Sequence, residues 1–591
     1  MTFEMIFVVT AIILMLVGLY LEIARADLIV FATLFLFLLL DFVTPEQALV
    51  GFSNQGMLTV ALLFIVARVF EKSGLVERLM SAFLAKANTH TGALSRLVIP
   101  VAGFSAFLNN TPIVVTLTPI IRRWSSDHNI SPSKFLLPLS YASILGGTIT
   151  LMGTSTNLVI HGLLLDFNTD GFSFFQLAIV GIPITIVGLV YLIFFGPKVL
   201  PDHRSLIERV NENTKDYLSE MVVLEGFPYK NQSVEAASLR NLKGLYLIEI
   251  IRGTEKISPV TRDTKVQVGD RLIFTGMMST IADLQKRKGL QLDTGTDLSL
   301  DDLKNGNTKL QEVVVSYQSS LLGQTIKQSG FRETYDAAVM AVHRNDERVE
   351  GKIGDIVPKA GDLLLIVSGL SFEEKSKEQR DFYVTSPVGN STFYENESKG
   401  WFALILLMSM IVLVTFQLLS IFKAMVITVG VLIVTKIISP KQAKAAVQFQ
   451  VLLLIASALG IGNVIIQTGT AEWLADHLVQ NLQPFGILAI LVSIFILTNL
   501  FTEFITNNAA AVIMFPIAYE VAVESGIDPM GMAILVAIAA SASFLSPIGY
   551  QTNLIVYGPG GYHFKDYIRT GLPLSIIVMV ITVFVIYIQF V

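Results

Sequence analysis

Asn-Asn-Thr at residues 109–111, eight residues before Pro119, is the most informative stretch of this chain for its fold. A close copy, Thr-Asn-Asn at residues 506–508, stands the same distance before Pro516. A second polar break follows each copy, Gly-Thr-Ser-Thr-Asn at 153–157 and Gly-Tyr-Gln-Thr-Asn at 549–553. Amides and hydroxyls are costly inside apolar segments unless they line a site. Two matched sets of them predict a transporter.

The bulk composition indicates a polytopic membrane protein. Of the 591 residues, 52% are hydrophobic, mean hydropathy is +0.63, and uncharged runs of about 17 to 25 residues can span a bilayer. The absence of cysteine excludes structural disulfides and thiolate metal sites, and the net charge of -5 gives no indication of nucleic-acid binding. The first apolar run lacks the basic start of a signal peptide, so we expect a retained helix.

The two membrane halves align almost end to end, with an offset of 395 to 397 residues. Pro-Glu-Gln-Ala at 45–48 matches Pro-Lys-Gln-Ala at 440–443, and Gly74 matches Gly469. A steady offset indicates a duplicated unit, because unrelated apolar stretches share composition but not the positions of their polar and turn residues. Five crossings per unit is an odd number, so we predict that the second unit is inverted relative to the first.

Each half is predicted to hold simple helices, a re-entrant pair and a broken helix. In the first half the helices are expected near 5–23, 27–41, 56–70 and 175–196, the pair near 93–121 and the broken helix near 135–162. In the second half the helices are expected near 401–420, 422–438, 448–466 and 571–590, the pair near 485–522 and the broken helix near 531–556. The predicted membrane repeats are residues 1–200 and 399–591.

The segment between the halves is charged and soluble in character, and it is itself duplicated. Gly-Asp at 269–270 and Gly-Asp at 361–362 begin matching stretches, and Arg252 corresponds to Arg344, each pair 92 residues apart. Strand-like runs at 245–251, 313–316 and 337–343 predict two small α+β lobes, at 201–295 and 296–398, with a Gly-Asp turn before the last strand of each.

Basic residues predict the orientation. If the insert is cytoplasmic, lysines and arginines collect on the cytoplasmic side, and the external connections hold only Lys423. This asymmetry predicts a multi-pass protein of the plasma (inner) membrane with both termini outside and the central insert in the cytoplasm.

The chemistry is expected at the tips of the re-entrant pairs. Thr111 before Pro112 has the pattern of a helix N-cap, and Asn508 has the same pattern. If Asn157 and Asn553 cap the second halves of the broken helices, four helix N-termini converge on one pocket. Each contributes about +0.5 charge, so the pocket would carry about two positive units without a buried lysine or arginine. A small divalent anion would match this potential.

Oxygen atoms at the same turns suit sodium as the coupling ion. Unwound turns expose carbonyl oxygens, and Asn, Ser and Thr add neutral side-chain oxygens. Glu503 is the only acid well inside a membrane motif. It either accepts backbone hydrogen bonds at a helix end or couples transport to protons.

The two tips resemble the Ser-Asn-Thr signatures of the divalent anion/sodium symporter family, which contains sodium/sulfate/dicarboxylate transporters. The stretches 146–157 and 546–553 resemble the glycine-proline-asparagine loops of that family, and the four motifs occur in the family's order. The resemblance implies a homodimeric elevator whose fold is an inverted repeat of two five-helix units, each with a re-entrant hairpin and a broken helix. The soluble lobes resemble TrkA-C (RCK-C) ligand-sensing lobes, which implies regulation by a small ligand such as a nucleotide.

Carried over position by position, the resemblance implies sodium contacts at Asn109, Asn110, Thr111, Gly153, Asn157, Thr506, Asn507, Asn508, Ser546, Gly549 and Asn553. It implies anion contacts at Asn110, Thr111, Thr154, Asn507, Asn508 and Thr552. The chain departs from the family pattern at Asn109, Thr506 and Asn508, and at 155–156 and 551–552, where prolines are common. We expect these changes to enlarge the pocket and line it with amides, and we expect sulfate rather than a dicarboxylate.

Three functional classes remain open at this point. The chain could be a sodium-coupled anion symporter, a proton-coupled or antiporting relative such as an arsenite or sodium/proton exchanger, or a membrane sensor whose lobes are the output. An enzyme is not expected, because no nucleophile, base and orienting group form a constellation, and no transition-metal ligand cluster is visible.

Overall fold

The computed structural model describes residues 2–591 except 22, 86–88, 129, 168, 204–217, 240–241, 243–244, 254, 258–259, 277–287, 293–308, 317–318, 345–346, 350–352, 370, 373–374, 377–380 and 385–396. The described residues of the first membrane half are helical. Their helices are α1 (Phe3–Tyr20), α2 (Ala26–Leu39), α3 (Pro45–Ser53), α4 (Gln55–Ser73), α5 (Leu75–Leu84), α6 (His90–Ser105), α7 (Asn110–Asp127), α8 (Ser133–Gly147), α9 (Ser155–Asp166), α10 (Ala178–Phe194) and the short α11 (Gly196–Val199).

The second membrane half repeats the order of α1 to α10. A five-residue helix of the insert, α12 (Phe331–Tyr335), comes before it. The helices of the second half are α13 (Glu397–Thr415), α14 (Ile421–Val434), α15 (Pro440–Ala446), α16 (Phe449–Gln467), α17 (Thr470–Leu482), α18 (Ile487–Phe504), α19 (Asn507–Ser525), α20 (Pro529–Ser541), α21 (Gln551–Tyr557) and α22 (Phe564–Phe590).

Matched local signals explain why the two halves fold alike. Thr44 caps α3 in a capping box with Gln47, and Ser439 caps α15 in a capping box with Gln442. Gly74, between α4 and α5, has φ 64°, and Gly469, between α16 and α17, has φ 69°. Glycine tolerates this left-handed conformation, so the chain can leave one helix and begin the next at a sharp angle.

The predicted spans are confirmed in outline but incomplete. The short helices α3, α5, α15 and α17 were not expected, because their mixed polar and apolar sequences lie between the long apolar runs. The last helix begins at Phe564 rather than near 571, because His563 and Asp566 form a capping box there.

Apolar side chains form both the interior and much of the surface of the helical part. One continuous hydrophobic core reaches from Val8 in α1 to Ile586 in α22. Among the described residues, four helical stretches are long and apolar enough to cross a membrane, Pro45–Phe70, Phe449–Gln467, Ile487–Phe504 and Phe564–Phe590, and further apolar helices are shorter. Exposed apolar residues such as Leu14, Ile405 and Phe584 cover the outside of several of these helices. A surface of this kind fits a polytopic membrane protein.

The described part of the insert contains two antiparallel sheets with the same topology. The first has strands β1 (Leu218–Val223), β2 (Leu245–Arg252), β3 (Glu255–Ile257), β4 (Arg271–Gly276) and β5 (Leu290–Leu292), in the order β3-β2-β4-β1-β5. The second has β6 (Lys309–Val315), β7 (Ala337–Arg344), β8 (Glu347–Arg348), β9 (Leu363–Ser368) and β10 (Phe382–Val384), in the equivalent order β8-β7-β9-β6-β10. The predicted strands are confirmed. The expectation that each Gly-Asp turn precedes the last strand is wrong, because the short edge strands β5 and β10 follow.

The paired arginines of the two lobes are structural. Arg252 donates to both carboxylate oxygens of Asp270, at 2.8 and 2.9 Å, and Arg344 does the same to Asp362, at 2.8 and 2.7 Å. Asp270 and Asp362 are almost fully buried. The bidentate contact with the neighbouring carboxylate raises the pKa of each arginine. Each pair therefore fixes the turn before the central strand of its lobe.

Candidate functional site

The tip of the first hairpin, formed by α6 and α7, is organised by Asn110. The helix α7 begins at Asn110 with Asn109 as its N-cap, so the predicted cap at Thr111 is wrong by two positions. The side-chain amide of Asn110 meets the hydroxyl of Ser105, which also donates to the carbonyl oxygen of Ser143 at 2.7 Å. With its nitrogen facing this turn, the amide donates to the carbonyl oxygens of Ser143 and Gly153, at 3.0 and 3.3 Å.

The tip of the second hairpin, formed by α18 and α19, repeats this arrangement. Thr506 is the N-cap, and its hydroxyl accepts from the backbone N–H of Ala509, so the predicted cap at Asn508 is also wrong by two positions. The hydroxyl of Thr502 lies 2.7 Å from Oδ1 of Asn507 and donates to the carbonyl oxygen of Ala540 at 2.6 Å. Thr502 and Asn507 are therefore the counterparts of Ser105 and Asn110.

Two asparagines brace the loops of the broken helices. Asn157 donates to the carbonyl oxygens of Gly147 and Thr150, at 3.2 and 2.9 Å. Asn553 donates to the carbonyl oxygens of Ser543 and Ser546, both at 3.0 Å. These residues lie inside α9 and α21, whose N-caps are Thr154 and Tyr550, so the expectation that the asparagines are caps is wrong. Their amides instead hold each loop folded back against the helix that follows it.

Close backbone packing explains the glycines at 153 and 549. A Cβ atom on Gly153 would lie 2.4 Å from the carbonyl oxygen of Gly147. A Cβ atom on Gly549 would lie 2.1 Å from Oγ of Ser543 and 2.8 Å from the carbonyl oxygen of Thr502. Only glycine allows these approaches without movement of the loop. The hydroxyl of Ser546 completes the second loop by accepting from the N–H of Gly549 at 2.9 Å.

Tyr550 joins the two halves at the centre of the site. Its buried hydroxyl lies 2.6 Å from the Asn110 amide and 3.2 Å from the Thr154 hydroxyl. The side chain of Asn507 also forms a hydrogen bond with this hydroxyl. The side chains of Asn110 and Asn507, the first residues of α7 and α19, therefore lie around the hydroxyl of Tyr550, the N-cap of α21. The side chain of Thr154, the N-cap of α9, contacts the same hydroxyl.

The positions that depart from the family pattern contact one another across the halves. Oδ1 of Asn508 accepts from the hydroxyls of Ser155 and Thr156, at 3.2 and 3.3 Å. The hydroxyl of Thr111 donates to Oε1 of Gln551 at 3.2 Å. Amide and hydroxyl side chains at these positions therefore bond to one another across the two halves.

The remaining predicted contacts have unequal surroundings. Thr552 is fully buried, and its hydroxyl accepts from Ser140 at 2.9 Å, the same hydroxyl that reaches Oδ1 of Asn553 at 2.7 Å. Asn109 makes no capping hydrogen bond with its side chain, and Thr506 is exposed.

Glu503 supports the second loop. The buried carboxylate accepts from the backbone N–H of Leu545 at 2.9 Å and from the hydroxyl of Ser543 at 3.1 Å. The interpretation as a hydrogen-bond acceptor at a helix end is therefore observed directly. Its carboxylate is the one charged group in the contacts described above.

Sequence reasoning missed Ser105, Thr502, Tyr550 and Gln551 as site residues. Ser105 and Thr502 could have been found, because each stands five residues before the central asparagine of its tip. Tyr550 and Gln551 belong to the second polar break, at the positions that Thr154 and Ser155 hold in the first. Only the pairing of the halves shows that both point at the first tip.

Comparisons with known proteins agree with this geometry. The family described as Citrate transporter matches residues 12–537. A Chlamydomonas reinhardtii protein named as a sulfur deprivation response regulator is 32% identical and is covered over 97% of its length, with 94% of this chain. An uncharacterized transporter of Synechocystis sp. is 31% identical, with 92% of this chain and 90% of the relative covered. Sodium/sulfate cotransporter 2 of Chlamydomonas reinhardtii is 24% identical, with 92% of this chain and 84% of the relative covered. These matches confirm the resemblance to divalent anion/sodium symporters and point to transport rather than catalysis.

Proposed function

This chain belongs to the citrate transporter family, and from that premise we propose that it is a sodium-coupled symporter of a small divalent anion, with sulfate favoured over a dicarboxylate. The observation that carries the proposal is the pair of equivalent oxygen-rich tips at Asn110 and Asn507, which meet at Tyr550. The relative named as a sodium/sulfate cotransporter spans most of the chain and supports this choice of substrate.

The geometry at Asn110 supports sodium as the coupling ion. The amide atom that faces the turn lies near three oxygens, those of Ser105, Ser143 and Gly153. The amide nitrogen suits this position without a cation, because it can donate to the carbonyl oxygens. If the amide turns its oxygen inward, four oxygens face one another and only the Ser105 hydroxyl among them carries a proton, so a bound cation would favour this arrangement. Asn507 with Thr502 and the carbonyl of Ala540 would form the second such position.

The helix starts support an anion beside the sodium positions. Side chains from the starts of α7, α9, α19 and α21 contact one another there. A helix N-terminus carries about half a positive charge, so these helix starts would attract a dianion without a basic side chain. Neutral donors would come from Asn110, Thr111, Thr154, Asn507, Asn508 and Thr552.

We further propose the family's inverted repeat, elevator motion and homodimer. The insert would be cytoplasmic, and both termini would lie outside the plasma (inner) membrane. The TrkA-C-like lobes, with their small ligand, would act as regulators.

Uptake of labelled sulfate into proteoliposomes tests the proposal. A sodium gradient should drive uptake, a proton gradient alone should not, and unlabelled sulfate should compete better than succinate or citrate. Uptake driven by protons alone would replace symport with sodium by proton coupling, for which Glu503 is the candidate group. Strong competition by citrate would move the substrate toward tricarboxylates.

One alternative function is favoured by a specific observation. The relative named as a sulfur deprivation response regulator matches this chain from end to end, including the soluble insert. A membrane sensor would bind sulfate at the same tips without accumulating it. Saturable sulfate binding to the purified protein, combined with no uptake under any gradient, would favour the sensor.

A further inference from the structure

The second soluble lobe reaches the candidate site directly. Its edge strand β10 lies against α7 of the first hairpin. The hydroxyl of Tyr383 in β10 accepts a hydrogen bond from Nε2 of Gln551 at 2.6 Å. The other end of the same amide accepts from Thr111. One glutamine therefore connects the lobe to the tip of the first hairpin, and the Tyr383 ring packs against both the core of the helical part and the core between the lobes.

A buried ion pair forms the second contact. Arg122 in α7 pairs with Glu312 in β6, the strand next to β10. Their side chains are only 8% and 0% exposed. A buried ion pair is weak evidence for stability, because desolvation offsets much of the attraction, but it strongly disfavours any arrangement that leaves one partner alone. The pair therefore specifies one docked position of the lobe on α7.

A tight turn of the second lobe forms the third contact. Gly361, with φ +87°, rests on Leu554 of α21, and a Cβ atom at position 361 would lie 2.5 Å from that side chain. Gly558, just after α21, faces Leu363 and the carbonyl oxygen of Gly361. The lobe thus touches α7 and α21, the two helices whose first turns carry Asn110, Thr111 and Gln551.

The first lobe provides an internal comparison, because it has the same topology and two of its equivalent residues have different neighbours. Glu220, the equivalent of Glu312, pairs with Arg271 of its own lobe. Leu363 stands where Arg271 would be in the second lobe, and Glu312 pairs with Arg122 of α7. Gly269, the equivalent of Gly361, faces nothing within 4 Å. Within the described residues, the two lobes therefore differ at the positions of Glu312 and Gly361, where the second lobe contacts the helical part.

We propose that the second lobe is a built-in gate, which in the docked position covers the anion site from the side of the insert and must leave α7 and α21 before that side opens. Tyr383 bonds to Gln551 in the first turn of α21, and α21 packs against α7. Undocking would break the Arg122–Glu312 pair and the Tyr383–Gln551 hydrogen bond together, so a ligand that binds the undocked lobe would open the site. The gate rests on the proposed function of the site as a path for anions.

Cysteine labelling of the full chain tests the gate without relying on transport. The chain has no cysteine, so Thr111→Cys supplies a single reporter, and its reaction rate with a maleimide measures exposure of the first tip. Tyr383→Phe removes one hydrogen bond and should accelerate labelling about fivefold. Glu312→Gln removes the charge that holds Arg122 and should accelerate labelling about tenfold or more. Exchange of the two charges, Arg122→Glu with Glu312→Arg, should restore slow labelling.

Two matched controls separate docking from general damage. Glu220→Gln breaks the equivalent pair in the first lobe, and Arg123→Gln changes the exposed neighbour of Arg122; both should leave the labelling rate unchanged. Parent-like rates in both Tyr383→Phe and Glu312→Gln, or equal acceleration by Glu220→Gln, would overturn the gate. Faster labelling in the docking variants, combined with no sulfate uptake by the unaltered chain, would keep the gate and reject the proposed function.

Discussion

The hydroxyl of Tyr550 lies 2.6 Å from the side-chain amide of Asn110, although the two residues are 440 positions apart in the chain. Tyr550 is the N-cap of α21, and Asn110 is the first residue of α7. This contact places the second polar break of one half on the hairpin tip of the other. The site is therefore shared between the halves, and a change in either tip should affect both.

We expect Asn110→Ala or Asn507→Ala to reduce sodium-driven uptake at least about tenfold, because each removes the amide at the centre of a tip and leaves buried donors and acceptors without a partner. Initial rates at several sodium concentrations provide the measurement. Asn481→Ala is the control, since Asn481 is exposed at the end of α17. Full uptake with unchanged sodium dependence in either tip variant would refute the sodium positions.

Tyr550→Phe should weaken anion binding and lower the free energy of unfolding by about 1 to 3 kcal/mol, because the ring remains but the buried amide and hydroxyl lose their partner. Thermal unfolding in detergent and sulfate binding together measure this effect. Tyr587→Phe, on the exposed side of α22, should change neither quantity. Identical binding in Tyr550→Phe would mean that the hydroxyl is not part of the anion site.

Gly549→Ala and Gly153→Ala should each abolish sulfate binding, because the added methyl group would collide with backbone or buried oxygen atoms of the same loop. Gly430→Ala is the matched control: a Cβ atom there meets nothing within 4 Å, and alanine in a helix should stabilise α14 by up to about 1 kcal/mol. Retained binding in both loop variants would show that the loops can shift without losing the site.

If the hairpins and broken helices move against a fixed scaffold, a cysteine at Thr506 should crosslink to cysteines at two separate heights on α16. The helices α16 and α19 are in contact, so one of these heights is expected from the present arrangement. Crosslinking with and without sodium and sulfate tests whether the cysteine at position 506 also reaches the second height on α16. A single height under all conditions would argue against an elevator.

Removal of residues 202–398, with a flexible linker in their place, should leave a folded membrane part that still binds sulfate. The lobes have hydrophobic cores of their own, and the helical part has a separate one. Size-exclusion chromatography and sulfate binding measure the result. A folded but non-binding truncation would show that Tyr383 is part of the binding site rather than a cover over it.

The membrane character, the duplication and the four polar motifs could all be recognised in the amino-acid sequence. Apolar runs follow directly from the cost of burying charge in a bilayer. The constant offset between the halves keeps capping and turn residues at equivalent positions. The capping boxes at Thr44 and Ser439 are examples, and each depends on residues only three positions apart. Strand positions in the lobes were predictable for the same reason, because alternation is a local property.

The tertiary structure was needed to show which motifs lie against one another, because hydrogen bonds between distant segments leave no pattern in the local sequence. It placed Tyr550 and Gln551 against the first tip, moved the helix starts to Asn110 and Asn507, and gave Asn157 and Asn553 the role of braces. It also shows that Glu312 and its equivalent in the first lobe, Glu220, have different ion-pair partners. Both glutamates follow the same local rules, but a leucine in place of one arginine, and an arginine far away in α7, give them different partners.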